Sequence, residues 1–272
     1  MIAKIAHPNP SLTLTSRRSL TWPIIGNMPE MRAVITDWGG VLTQPIGDTV
    51  RDWIAADQID WDSYVAVVGP WLKEAYDEHD GHHERHGHHA FEPLQATGMY
   101  LNTSVNAGVN NGVNPVHALE RGECAVADFE RLLAERLVTT TGGKVIADGL
   151  LTRMLSAERP DPVMYQVIRD LRGQGVRTAL LSNSWGKGTY RRQDFPGLFD
   201  AVVISGEVGM RKPEPRIFLH TAELLNVAPV ECVFVDDLEA NVRAAAGCGM
   251  TGLHHTDPAD TVVRLTELFA AR

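Results

Sequence analysis

Four short apolar runs, each giving way to polar residues, constrain this chain more than any other feature. Ala33-Val-Ile-Thr36 stops at Asp37, Thr178-Ala-Leu-Leu181 at Ser182-Asn183, and Cys232-Val-Phe-Val235 at Asp236-Asp237. Ala201-Val-Val-Ile204 leads into a loop that carries Lys212. Short runs without polar alternation read as strands buried on both faces, the pattern of a parallel sheet covered by helices. The stretches between the later runs supply those helices. Asp161-Pro162 is an N-cap followed by a proline suited to the first turn, and Val163, Met164, Val167, Ile168 and Leu171 then recur at helical spacing before Gly173 and Gly175. Further helices are expected from Pro215, through Val242 and Ala246, and from Asp260, with a last strand over Thr251 to His254. Strands alternating with helices make an α/β fold, a doubly wound parallel sheet with right-handed crossovers. Polar residues just past the strand ends then converge in one crevice.

The rhythm is interrupted between residues 44 and 158. Trp53, Trp61, Tyr64, Trp71 and Tyr76 lie in what read as short helices. A His-rich segment (His79 to His89) and an Asn/Gly-rich one (Asn102 to Asn114) follow. Phe129, Leu132, Leu133, Arg136 and Leu137 then mark an amphipathic helix. The segment reads as a helical insertion, with the α/β core in residues 31–43 and 159–272. The histidines are interleaved with acids and broken by Gly81 and Gly87, which favours a solvated loop over a built metal site. Residues 1–30 read as a disordered extension, or as sequence upstream of a start at Met31.

Composition narrows the function classes. A formal net charge of −9 provides no basic field for nucleic acid. No run approaches the roughly 18 apolar residues that a membrane helix needs. Three scattered cysteines (Cys124, Cys232, Cys248) suggest no disulfide framework, and a cytoplasmic location is expected.

The polar residues at the strand ends form a chemical set. Asp37, Asp236 and Asp237 offer oxygen ligands suited to a hard divalent cation. Ser182 and Asn183 offer hydrogen bonds to phosphoryl oxygens. Lys212 supplies a point charge for both a phosphate and the Asp37 carboxylate. An in-line nucleophile, a cation and neutralised equatorial oxygens are what phosphoryl transfer requires.

Four ordered segments carry a resemblance to a known family. Val34-Ile-Thr-Asp-Trp-Gly-Gly-Val-Leu42, Leu180-Leu-Ser-Asn-Ser184, Ser205-Gly-Glu-Val-Gly-Met-Arg-Lys-Pro-Glu-Pro215, and Val233-Phe-Val-Asp-Asp237 with Asn241 resemble the motifs of the haloacid dehalogenase-like (HAD) hydrolases. The similarity is greatest to the phosphatase-like subgroup with a helical cap inserted after the first motif. That resemblance makes the 44–158 insertion a cap domain and implies Mg²⁺-dependent hydrolysis of a small phosphorylated metabolite. Asp37 would be the nucleophile, passing through an aspartyl-phosphate. Asp37, the Gly39 carbonyl and one or both of Asp236 and Asp237 would hold Mg²⁺. Ser182, Asn183 and Lys212 would hold the phosphate, and Arg121, in Leu119-Glu-Arg-Gly-Glu123, would face the site. One departure stands out: the family's phosphatases place a second aspartate two residues after the nucleophile, as general acid and base, and here that residue is Gly39. Two rivals therefore stay open: cleavage of another bond, such as carbon–halogen, by the same nucleophile, and a catalytically weak phosphate-binding regulatory protein.

Overall fold

A computed structural model describes residues 30–77, 113–186 and 190–270. The expectations for the N-terminal extension, the His-rich segment and most of the Asn/Gly-rich run lie outside the described residues. In chain order the elements are β1 (Ala33–Thr36), α1 (Ile46–Ala56), α2 (Trp61–Asp77), α3 (Pro115–Glu120), α4 (Val126–Ala134) and α5 (Leu150–Met154). They continue with α6 (Pro162–Gly173), β2 (Arg177–Ser182), α7 (Phe195–Leu198), β3 (Ala201–Ile204), α8 (Ser205–Val208) and α9 (Pro215–Leu225). The chain closes with β4 (Cys232–Asp236), α10 (Glu239–Gly247), β5 (Thr251–His254) and α11 (Pro258–Ala270).

The strands form one five-stranded sheet in the order β3-β2-β1-β4-β5, with every pairing parallel. Side chains alternate between its faces with the period of two that a pleated strand imposes. Val34, Leu180 and Val233 pack with Met164 and Ile168 of α6 and Leu265 and Phe269 of α11. Ala33, Ile35, Ala179 and Phe234 pack with Ile217, Phe218 and Leu225 of α9 and Ala245 of α10. Burying both faces explains why the strands read as unbroken apolar runs. Burying one such Ile or Phe fully contributes on the order of 1.5–3 kcal/mol.

β1 is central, with β2 on one side and β4 on the other. The strand order reverses there, so the crevice at its carboxyl end is the topological switch point of the sheet. Asp161 caps α6 as the sequence suggests, its Oδ1 accepting from the Val163 and Met164 backbone N–H groups at 2.9 Å each.

The segment between β1 and α6 has a core of its own. Trp53, Tyr64, Leu72, Val116, Phe129 and Leu133 are buried together there, with Leu150 and Met154. The amphipathic helix is shorter than its spacing suggests. α4 ends at Ala134, and Arg136 and Leu137 follow in a turn, where Leu137 is still buried. The apolar period persists past the helix because the turn returns that side chain to the same core.

Candidate active site

The parallel register builds the centre of the site. Thr36 pairs with Val235, and the Asp37 N–H donates to the Val235 carbonyl at 2.9 Å, so Asp37 comes level with Asp236 on the neighbouring strand. Lys212 Nζ bridges them, 2.9 Å from Asp37 Oδ1 and 2.7 Å from Asp236 Oδ2. Lys212 and Asp236 are essentially inaccessible, at 1% and 0% exposed, so the bridge operates at low dielectric. Asp236 is saturated with donors besides: Asn241 Nδ2 reaches both its oxygens at 3.0 and 3.1 Å, and the Leu238 N–H reaches Oδ1 at 2.8 Å.

Asp37, Asp236 and Asp237 each present an oxygen, and these atoms lie within 4.8 Å of one another. Gly40 makes room for the third. Its φ is +74°, and a Cβ there would collide with the Asp237 carboxylate. The acids are crowded beyond what one lysine compensates. Burial pushes the Asp37 carboxyl up to about 6; Lys212 pulls it down and Asp236 pushes it up. Asp237 is driven well above the usual carboxylate range, first by burial and then by the Asp236 and Asp37 charges.

Comparison with known proteins decides the family. The model of the haloacid dehalogenase-like hydrolases matches residues 31–249. The chain belongs to that family. Among curated relatives of this HAD-like hydrolase, sesquiterpene phosphatase astK of Aspergillus oryzae is 35% identical over 113 residues, 40% of this chain and 58% of that protein. Acyl-CoA dehydrogenase family member 10 of Mus musculus is 27% identical over 87% of this chain but only 19% of its own length. The chain thus spans less than two thirds of these relatives. The fold also matches solved structures. A predicted HAD-like family hydrolase from Porphyromonas gingivalis has a TM-score of 0.55 at 20% identity, covering 87% of this chain and 98% of that one. A HAD family enzyme from Bacteroides thetaiotaomicron has a TM-score of 0.51 at 18% identity, covering 84% and 95%.

The HAD-like core gathers Asp37, Ser182, Asn183, Lys212, Asp236 and Asp237 at one end of the sheet, but not all as the sequence suggests. The Asn183 side chain is turned onto the backbone of Lys212. Its Oδ1 accepts from the Lys212 N–H at 2.8 Å, and its Nδ2 donates to the Lys212 carbonyl at 3.0 Å. With both ends of the amide engaged, this side chain brackets the lysine loop rather than reaching out for a ligand. Ser182 is buried, and its Oγ accepts from the Tyr190 hydroxyl at 3.1 Å.

Arg121 does not join the cluster. Its guanidinium pairs with Glu123 Oε1 at 2.8 Å, in the turn after α3, and with Glu214 Oε1 at 3.3 Å, on the loop beyond Lys212. The inward position belongs to its neighbour. Glu120 is fully buried and accepts from Arg211 Nε at 2.6 Å, while its carbonyl accepts from Ser205 Oγ at 2.5 Å. Ser205 Oγ accepts in turn from the Ser184 N–H at 2.7 Å. One polar chain therefore joins α3, the end of β2 and the segment that carries Lys212. Glu120, Arg211 and Tyr190 are not among the residues that the sequence singles out. The first two had a faint signal in a charged pair beside the chosen residues; Tyr190 had none.

Proposed function

We propose that this HAD-like hydrolase is a phosphatase of a small phosphorylated metabolite that depends on Mg²⁺ and works through an aspartyl-phosphate on Asp37. The observation that carries the reading is the clustering of three carboxylates around one buried lysine at the switch point of the sheet. An all-oxygen donor set with excess negative charge fits a hard divalent cation. Asp37, Asp237 and the Gly39 carbonyl would hold it, with Asp236 at its edge because Lys212, Asn241 and Leu238 already occupy that carboxylate. When bound, Mg²⁺ supplies charge neutralisation for the acids and for a phosphoryl group. Lys212 and the Trp38 N–H, both on Asp37 Oδ1, orient that carboxylate for attack on phosphorus, and Lys212 stabilises the equatorial oxygens. On the β2 side, Ser182 would offer its hydroxyl to the phosphate.

The sesquiterpene phosphatase relative supports phosphate-ester hydrolysis over carbon–halogen cleavage, since displacing a halide has no use for a carboxylate cluster. Residues 44–158 are part of the proposal as a cap, which excludes water from the site and selects the substrate. A cytoplasmic location belongs to it too, on the acidic composition and the unpaired Cys124, Cys232 and Cys248.

A panel of sugar phosphates and aryl phosphates, assayed with Mg²⁺ and with a chelator, tests the reading. Phosphate release that requires Mg²⁺ is expected on at least one of them. No Mg²⁺-dependent release on any member contradicts it.

A further inference from the structure

The reaction just described lacks a proton donor. Breaking the P–O bond of an alkyl or aryl ester leaves an oxyanion that needs a proton, and residue 39, where the family's acid stands, is glycine. A carboxyl from elsewhere in the chain lies against the same turn. Residues 38–43 curl around the Trp38 carbonyl, which accepts from the N–H groups of Val41, Leu42 and Thr43. The segment entering α6 is laced to that turn. Gln44 N–H donates to the Arg159 carbonyl at 2.9 Å, Asp161 N–H donates to the Leu42 carbonyl at 2.8 Å, and Thr43 bridges Pro160. Glu158 stands at the start of this lacing. Its Oε1 accepts from the indole Nε1 of Trp38, the residue after the nucleophile, at 2.8 Å.

We propose that Glu158 is the general acid and base of this enzyme, supplying from the cap-to-core connection the carboxyl that Gly39 lacks. The inference rests on the phosphatase reading. In the first step Asp37 Oδ bonds to phosphorus as the P–O bond to the leaving group breaks, and that oxygen takes the Glu158 proton to leave as the alcohol or phenol. In the second step the Glu158 carboxylate takes a proton from water. The hydroxide bonds to phosphorus, and the Oδ–P bond of the acyl phosphate breaks to give phosphate and the free Asp37 carboxylate.

The surroundings suit the role. The ionisable groups facing Glu158 are Asp37 at the end of β1, Tyr190 from the loop after β2, and Tyr165 from α6, with Arg169, Arg191 and Asp194 standing beyond Tyr165. Among the described residues, no cation contributes to its acidity. Burial and then the Asp37 charge raise the Glu158 carboxyl to about 7, against the pull of the Trp38 and Thr43 side chains, so much of it carries a proton at neutral pH. At residue 39 itself, a Cβ would meet nothing within 4 Å, so the backbone there tolerates a side chain.

The test compares Glu158→Gln with wild type on 4-nitrophenyl phosphate, whose leaving group needs no proton, and on phenyl phosphate, whose leaving group does. Gln still accepts from the Trp38 indole, so an anchoring role alone is preserved. Expected is a loss in kcat/KM on the order of 10²- to 10⁴-fold on phenyl phosphate, with a loss under about tenfold on 4-nitrophenyl phosphate. The fall in wild-type kcat/KM above about pH 7 on phenyl phosphate should vanish in the variant. Adding Gly39→Asp to Glu158→Gln should restore turnover of phenyl phosphate. Equal losses on the two esters, no loss on either, or no recovery from the added aspartate overturns the proposal. Absence of Mg²⁺-dependent release by wild type on both esters overturns the phosphatase reading, and this inference with it.

Discussion

The crowded carboxylates make stability a function of pH in a direction that Mg²⁺ should reverse. Moving the Asp37 carboxyl from its ordinary 3.8 to about 6 disfavours its ionised form in the folded protein by about 3 kcal/mol. The folded chain then binds this proton more tightly than the unfolded chain does. Its contribution is therefore a loss of stability that begins as pH rises past the unfolded value and is complete above the folded one. About 1.4 kcal/mol of that loss falls between pH 5 and pH 8. Asp237, raised in the same direction, adds to it. Other acids, such as Asp200 with its Arg172 partner, move the opposite way, so the total slope is not diagnostic. The difference between wild type and Asp37→Asn isolates the site. Urea unfolding in chelator should show wild type losing at least about 1.4 kcal/mol more than the variant between those pH values. Saturating Mg²⁺ displaces the protons and should stabilise wild type more at pH 8 than at pH 5. Parallel pH profiles for the two proteins, or a Mg²⁺ effect independent of pH, would refute the reasoning.

Two further outcomes follow from particular contacts. Glu120→Ala leaves Arg211 buried without its carboxylate and should cost about 3–5 kcal/mol in urea unfolding, because the charge is stranded. Gly40→Ala combines a left-handed backbone with a collision at Asp237, and should lose about 1–2 kcal/mol of stability and weaken Mg²⁺ binding measured by calorimetry.

The sheet was legible because strands buried on both faces must be apolar throughout, and because Asp37, Ser182 and Asp236 mark where each run turns polar. The approach of Asp37 to Asp236 followed once the strands were taken as parallel neighbours. What the sequence hides are choices made by side-chain direction. Asn183 is a short amide beside the site, and only the path of the Lys212 loop turns both its ends onto backbone. Glu120 ends α3 and Arg121 caps it; the helix phase sends the first inward to Arg211, and the turn leaves the second to Glu123 and Glu214. Glu158 lies 121 positions beyond Asp37 and reaches it through the Trp38 indole, a contact set by the pairing of residues 42–44 with 159–161. No local pattern announces such a contact. The end of α4 shows the converse, since the apolar period outlasts the helix that it was taken to mark.

The central claim is that Asp37 attacks phosphorus. Acid quenching of wild type during turnover of 4-nitrophenyl phosphate, followed by peptide mapping in a mass spectrometer, tests it most directly. A phosphoryl group is expected on Asp37, forming only with Mg²⁺ and absent from Asp37→Asn, which also loses turnover. Mg²⁺-dependent turnover that survives unchanged in Asp37→Asn would contradict it.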